Sequence, residues 1–409
     1  MSHAAIKGVI LIGGPSKGTR FRPLSLSSPK PLFPIAGKPM IYHQIRALSQ
    51  VPGLTEIFLI GVWDDKVIEP FLKETRREFK NMGISYLREF KAMGTAGGLY
   101  HFRDVILRNS PDQIFVLNAD ICSSFPLKSL QEFHSKHRGV GTIMGKKVPK
   151  GQELRFGSIV VDQESRMALH YVEKPEGFIS DVINTGVYLF DQSIFSEIKT
   201  ATDEKARIAA EDPTSEPDEI IHLEQDVITR LASSRKLFVY ETIDFWQQIK
   251  SAGSALPANA LYLSHLSKTS PGLLTPPTAR TASSPEITGA VSIDPTAQIH
   301  PSAKIGPNVS IGPNVIIGEG ARVYEAILLE GVELGEHAVV GWGIVGRDSK
   351  IGAWGRVDGA PEDAAALKPK KTIAILADEV NVSKEVYIRS CIVLPQKILN
   401  KSACDEVLL

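Results

Sequence analysis

From residue 293 onward an aliphatic side chain returns every six positions: Ile293, Ile299, Ile305, Ile311, Ile317, Val323 and Leu329. Few folds accept that period. Gly306, Gly312 and Gly318 directly follow three of these residues, and Pro295, Pro301, Pro307 and Pro313 stand two places after their aliphatic partners. A six-residue unit is one short strand and one corner. Stacked coils of such units bury a column of aliphatic side chains on each face. The pattern therefore predicts a left-handed parallel β-helix over residues 287–409. The phase slips after Leu329 and resumes at Val339, Val345, Ile351 and Val357, for which an outward loop is the simplest expectation. Gly359–Lys371 leaves the period, and Ile373 to Val393 returns to short aliphatic strands. β-Helices need capped ends and often pack laterally, so an oligomer is expected.

The first part of the chain reads differently. Short apolar runs at 7–12, Glu56–Val62, Ile84–Arg88 and Gln113–Leu117 alternate with helical patterns at Pro39–Gln50, Ile68–Phe79 and Thr95–Val105. That alternation predicts a mostly parallel, doubly wound α/β sheet. Val182–Phe190 reads as a further strand, Thr200–Glu219 as a polar surface insertion and Leu223–Ser233 as a helix. Ser267–Ser284 is rich in Ser, Thr and Pro and reads as a linker. The expected division is 1–266, a linker at 267–286, and 287–409. Ligands of such sheets bind beyond the C-terminal ends of the strands, which places a glycine loop after the first strand and Asn118-Ala119-Asp120 after the fourth at the site.

Composition narrows the partners. Lys+Arg and Asp+Glu are both 46, so no bulk charge favours nucleic acid or a membrane. No run approaches the ~20 apolar residues of a membrane span. The three cysteines, Cys122, Cys391 and Cys404, show no metal or disulfide spacing. A cytoplasmic protein is expected.

The loop Gly13-Gly14-Pro15-Ser16-Lys17-Gly18-Thr19-Arg20-Phe21-Arg22-Pro23-Leu24 follows the first strand, with Pro29-Lys30-Pro31 downstream. Glycines let backbone N–H groups approach phosphate oxygens, and Arg20 and Lys30 can add charge-assisted bonds. There is no G-K-[ST] of a Walker loop. Gly94-Thr95-Ala96-Gly97-Gly98, Asn118-Ala119-Asp120, Glu173-Lys174-Pro175 and Asn184-Thr185-Gly186 follow in order.

These motifs together resemble those of sugar-1-phosphate nucleotidylyltransferases, and with the hexapeptide β-helix the resemblance is to the GDP-mannose pyrophosphorylase family, its alpha-type rather than beta-type subunits. The resemblance implies that Gly13 and Gly14 line the phosphates and that Gly94 and Thr95 contact the base. It also implies that Glu173 and Asn184 bind sugar hydroxyls, that Lys174 pairs with the sugar-side phosphate, and that Asp120 holds Mg²⁺. Transfer of this type needs positioning and charge neutralisation and no protein nucleophile.

Two departures weaken catalysis. Pro15-Ser16-Lys17 lengthens the loop by two residues relative to the family's G-G-x-G-T-R form. In Phe245-Trp246-Gln247-Gln248-Ile249-Lys250, Gln248 stands where the family's second metal-binding Asp belongs, and Lys250 where it has Gly. A neutral amide does not replace a carboxylate on a hard cation, and losing such stabilisation costs on the order of a hundredfold in rate. Glu224-Gln225-Asp226 also lacks the Lys of the catalytic pattern. Three readings result. One is a GDP-mannose-binding regulatory subunit that forms homo- and hetero-oligomers with a catalytic beta-type partner. Another is an active mannose-1-phosphate guanylyltransferase, with Asp244 replacing the lost carboxylate. The third is a scaffold like the exchange-factor subunits of translation initiation. Sugar positions kept beside a lost acid favour the first. Gly359–Lys371 is the segment expected to meet a partner.

Overall fold

The computed structural model describes residues 5–14, 19–211, 220–361 and 373–408. Its contacts divide the chain into two compact units: Met1–Lys17 with Ile41–Trp246, and Gly18–Met40 with Gln247–Leu409. This partition differs from the sequence-based one, because residues 247–266 and a stretch of the N-terminal region group with the repeats.

In the first unit, apolar runs become buried strands. In chain order they are β1 (Ile6–Gly13), β2 (Leu54–Gly61), β3 (Gly83–Arg88), β4 (Gln113–Asn118), β5 (Gly141–Lys147), β6 (Ser158–Val161), β7 (Ala168–Val172), β8 (Val182–Asp191) and β9 (Leu237–Glu241). They form a nine-stranded sheet ordered β7-β6-β8-β4-β1-β2-β3, with β5 beside β8 and β9 beside β5. β1 to β4 run parallel, and β8 enters antiparallel to β4. The strand order turns at β1 and β4, so the C-terminal ends of these two strands open a crevice at a topological switch point. α1 (Met40–Ser49), α2 (Asp65–Glu78), α3 (Thr95–His101), α4 (Leu127–His134) and α5 (Ile194–Glu211) connect the strands. The core includes Val9, Ile114, Val116, Ile143, Tyr188, Phe190, Val227 and Leu231. Each fully buried aliphatic side chain of this kind contributes about 1.5–3 kcal/mol.

Three sequence expectations change here. Thr200–Glu211, read as a polar insertion, continues α5, whose inner face buries Ile194, Phe195, Ile198 and Ala201; residues 212–219 lie outside the described residues. The predicted helix at Thr95–Val105 breaks at Phe102 into α3 and a short turn, Arg103–Ile106. Leu223–Ser233 begins as a π turn over Leu223–Ile228 and only then becomes α-helical at Thr229–Ser233.

In the second unit the hexapeptide pattern becomes parallel strands in stacked coils. Ile287, Ile305 and Val323 align as partners, as do Ile299 with Ile317 and Val291 with Val309. These inward residues are nearly all fully buried. The phase slip is a correction to the expectation of an outward loop. Val323 pairs with Val340, and Ile311 with Leu328, so each of these coils is one residue shorter than those before it. The missing residue is taken at a tight corner, where Glu325 adopts φ 45° inside the strand Arg322–Leu328. Leu328 and Val340, not Leu329 and Val339, are the inward residues of the column. Val357 next pairs with Ile388, and most of Gly359–Lys371, the segment expected to meet a partner, lies outside the described residues.

The predicted linker is largely structured. α6 (Ala255–Thr269) runs into it, and Thr275 and Thr278 form antiparallel bridges with Val291 and Ile287, covering the first strands of the β-helix. Asn259 of α6 is fully buried and explains the grouping. Its Oδ1 accepts from the Ala36 N–H at 2.8 Å and from the Ser310 hydroxyl at 2.7 Å, while its Nδ2 donates to the Asn308 carbonyl at 3.3 Å. One side chain thus joins α6, the Ala36 loop and the β-helix. No helix among the described residues is long and apolar enough to cross a membrane.

Candidate nucleotide-sugar site

β1 ends at Gly13, whose φ of 62° starts the turn into the glycine loop. The Gly13 carbonyl accepts from Val62 N–H at 2.9 Å, and a Cβ on neighbouring Gly61 would stand 2.5 Å from that oxygen. Glycine is therefore required where β1 and β2 end together. Gly14 is buried against Val62. Pro15-Ser16-Lys17, which make the loop two residues longer, lie outside the described residues. Arg20 is exposed and Lys30 half-buried, and both belong by their contacts to the second unit.

β4 delivers Asn118, Ala119 and half-buried Asp120 to the switch point. The Ala119 N–H donates to the Leu11 carbonyl at 3.1 Å, which keeps the turn on β1. From α1, the fully buried Gln44 donates to the Asn118 carbonyl at 3.0 Å and, less closely, to that of Ile121 at 3.4 Å, bracketing Asp120.

Gly94 and Thr95 open α3. Gly94 has φ 83° and ψ 169°, a region essentially limited to glycine. Two first-turn amides of α3 are already committed within the chain. Ala96 and Gly97 both donate to the Ile221 carbonyl, at 3.0 and 3.2 Å, and the Ile221 N–H donates back to Met93. The Thr95 hydroxyl accepts from Leu223 N–H at 2.7 Å and donates to Glu224 Oε2 at 3.1 Å. Just before this loop, Glu89 is 7% exposed and its Oε1 has no hydrogen-bond partner. Burial pushes its carboxyl up to about 7, against the opposing bond from Met93 N–H.

The sugar-side residues form one chain of hydrogen bonds. Tyr171 donates to Glu173. Asn184 Nδ2 donates to Tyr171 Oη at 3.1 Å and to Tyr188 Oη at 2.9 Å, and its Oδ1 accepts from Gly186 N–H at 2.8 Å. Tyr188 donates to Glu224 Oε1 at 3.2 Å, which also accepts from Asn118 Nδ2 at 3.3 Å. Burial raises both phenols well above their usual value, so they remain protonated donors. Both N–H groups of Asn184 are committed. A hydroxyl can meet this amide only through Oδ1. Lys174 is exposed beside it.

Tyr171, Tyr188 and the bonding role of Glu224 were not singled out in the sequence. A partial signal existed: Tyr171 and Glu173 are two apart at the end of β7, whereas the register shift between Asn184 and Tyr188, with Gly186 at φ 75°, breaks the regular alternation of β8.

The donor set for Mg²⁺ is thin. Asp120 supplies one carboxylate, but Asp244 Oδ2 already accepts from Ser124 at 2.6 Å, and residue 248 is an amide rather than a carboxylate. Among the described residues no group of three or more His, Cys, Asp or Glu is placed to hold a metal. These residues do not fit a paired-carboxylate clamp.

Comparison with known proteins agrees with this architecture. The nucleotidyl transferase family model matches residues 7–227, and a model described as the GMPPB C-terminal domain matches residues 287–408. A mannose-1-phosphate guanylyltransferase regulatory subunit alpha-B of Danio rerio is 46% identical over 99% of this chain and 100% of its own length. The regulatory subunits alpha of Rattus norvegicus, at 45%, and Dictyostelium discoideum, at 44%, match over 99% and 100% of this chain and all of theirs. Among solved structures, one described as a glucose-1-phosphate thymidylyltransferase from Bacillus anthracis, in complex with sucrose, is 25% identical with a TM-score of 0.52, covering 63% of this chain and 95% of that one. With full-length identity at this level, the chain belongs to the family of mannose-1-phosphate guanylyltransferase regulatory subunits alpha.

Proposed function

We propose that this chain binds GDP-mannose in its first unit and, as the alpha-type subunit of a GDP-mannose pyrophosphorylase, adjusts a catalytic beta-type partner in response. The observation that carries the reading is a contrast between the residues that would meet the sugar and those that would hold the metal. The sugar side is an ordered row of hydroxyl-accepting and hydroxyl-donating groups ending in Glu173. The metal side offers Asp120 with Gln248 in place of a second carboxylate. Binding needs the first, whereas transfer needs both.

In this reading Glu173 accepts sugar hydroxyls, and Lys174 meets the sugar-side phosphate as a point charge. Gly94 lets the α3 loop approach the base. Asn184 acts mainly by aligning Tyr171 and Tyr188. Magnesium would supply charge neutralisation on phosphate oxygens if bound. The setting is cytoplasmic nucleotide-sugar biosynthesis with product feedback, in a homo- or hetero-oligomer.

The test is a paired experiment. Calorimetry of the chain with GDP-mannose should give saturable heat. GTP and mannose 1-phosphate should not be turned over by the chain alone, and GDP-mannose should change the rate of the catalytic subunit only when this chain is present. Turnover by the isolated chain that is lost in Asp120→Asn would make it an enzyme. Absence of both heat and thermal shift would make it a scaffold.

A further inference from the structure

We propose that Glu224 is a positioning residue that couples the two halves of the bound ligand, so that the nucleotide and the sugar phosphate bind cooperatively through it. The proposal rests on the reading that the first unit holds a nucleoside diphosphate sugar, and it assigns a role to a residue outside the expected contacts.

Glu224 is the meeting point of both ends of the site. On the nucleotide side, Oε2 accepts from Thr95, the first residue of α3. On the sugar side, Oε1 accepts from Tyr188, which is tied through Asn184 and Tyr171 to Glu173. A third arm, from Asn118 Nδ2, reaches the turn that carries Asp120. All three donors are neutral, and each arm reaches a different element: α3, β8 and the end of β4.

Every hydrogen in the relay has one direction. Asn184 spends one N–H on each tyrosine, each phenol passes its own proton outward, and the two ends are carboxylates that only accept. Thr95 accepts from Leu223 N–H, so its hydroxyl hydrogen is aimed at Glu224. A sugar hydroxyl arriving at Glu173 competes with Tyr171 there and shifts the order of the row. The Glu224 carboxylate carries that shift to α3. Glu224 sits in the π turn Leu223–Ile228, a wide turn that recurs at functional sites. The same segment caps α3 through the Ile221 carbonyl. Two sites that share a discrete set of contacts have a coupling free energy, and the coupling is reciprocal.

GMP and mannose 1-phosphate together carry all the parts of GDP-mannose and serve as probes. The quantity read is the affinity for GMP with saturating mannose 1-phosphate divided by that without it. The intact chain should give a ratio of at least ~5. In Glu224→Gln an amide N–H₂ replaces one acceptor and leaves at least one arm unmet. Tyr188→Phe cuts the sugar arm alone. Both should bring the ratio to about 1, whatever they do to the affinity for either probe alone. A purely structural role would lower melting temperature and single-probe affinities together and preserve the ratio. A ratio of 1 in the intact chain, or an unchanged ratio in both variants, overturns the proposal. If the intact chain fails to bind GDP-mannose at all, the proposed function itself has failed, a different result from binding with coupling untouched by the variants.

Discussion

Gly94 shows how a single residue carries the site. A Cβ there would lie 2.3 Å from the Ile221 carbonyl oxygen, in a conformation reserved for glycine. Gly94→Ala should therefore cost about 1–3 kcal/mol in strain and push away the carbonyl that Ala96 and Gly97 share. Urea unfolding should show the loss, and GDP-mannose affinity should fall with it; an unchanged midpoint would refute the geometry. Glu89 makes a prediction of opposite kind. Its folded carboxyl is raised to about 7 from an ordinary value of 4.5, so the folded state binds the proton more tightly than the unfolded one. Its favourable contribution is complete below 4.5 and is lost as pH rises through about 7. Glu89→Gln should flatten the fall in stability between pH 5 and about 8, measured as melting temperature against pH. Residues of this kind were only partly legible. Gly94 announced itself through a glycine-rich motif. Nothing in the letters around Glu89 says that its carboxylate is buried beneath α3, because burial depends on which helix covers it.

At the scale of elements, α4 and β5 hold a second polar row, away from the expected ligand contacts. Gly139 N–H donates to His137 Nδ1 at 3.0 Å, which leaves the neutral ring's proton on Nε2, facing Thr142 at 2.7 Å. The Thr142 hydroxyl then donates to His134 Nδ1 at 2.8 Å, and His134 Nε2 donates to Asp191 at 3.0 Å. Protonating His137 would set an Nδ1–H against the Gly139 N–H. Burial, reinforced by His134, lowers His137 from 6.5 to about 4. A depressed histidine is protonated first in the unfolded chain. The stability it confers is complete above 6.5 and drains away as pH falls toward about 4. His137→Asn should reduce the slope of urea midpoint against pH in that window, and an identical slope would reject this account. The same scale explains what periodicity could and could not reveal. Six-residue spacing gave the stacked coils from Ile293 to Val323 because inward columns must be apolar. It missed the shortening at Glu325, since losing a corner residue changes the phase without changing the composition. The helix Ile194–Glu211 was hidden by its charged outer face, and the π turn at Leu223 has no periodic signature of its own.

At the scale of the whole chain, the most instructive difference concerns the segment between the two sequence patterns. Ser, Thr and Pro marked 267–286 as a spacer, yet α6 enters it and residues 275 and 278 bridge the first β-helix strands. Composition reports solvent exposure, and this segment is exposed on one side while its backbone is paired on the other. The grouping of Gly18–Met40 with the repeats was illegible for another reason: it depends on one buried amide, Asn259, which joins Ala36, Ser310 and Asn308. Asn259→Ala would leave the Ala36 N–H and the Ser310 hydroxyl without their acceptor in a site that is fully buried. Each orphaned donor costs about 1–3 kcal/mol, so the variant should unfold at clearly lower denaturant. Hydrogen exchange should also quicken at the Ala36 amide, which the side chain protects directly. If midpoint and exchange both stay as in the intact chain, the second unit is held together by apolar stacking alone, and the Asn259 amide is incidental to it.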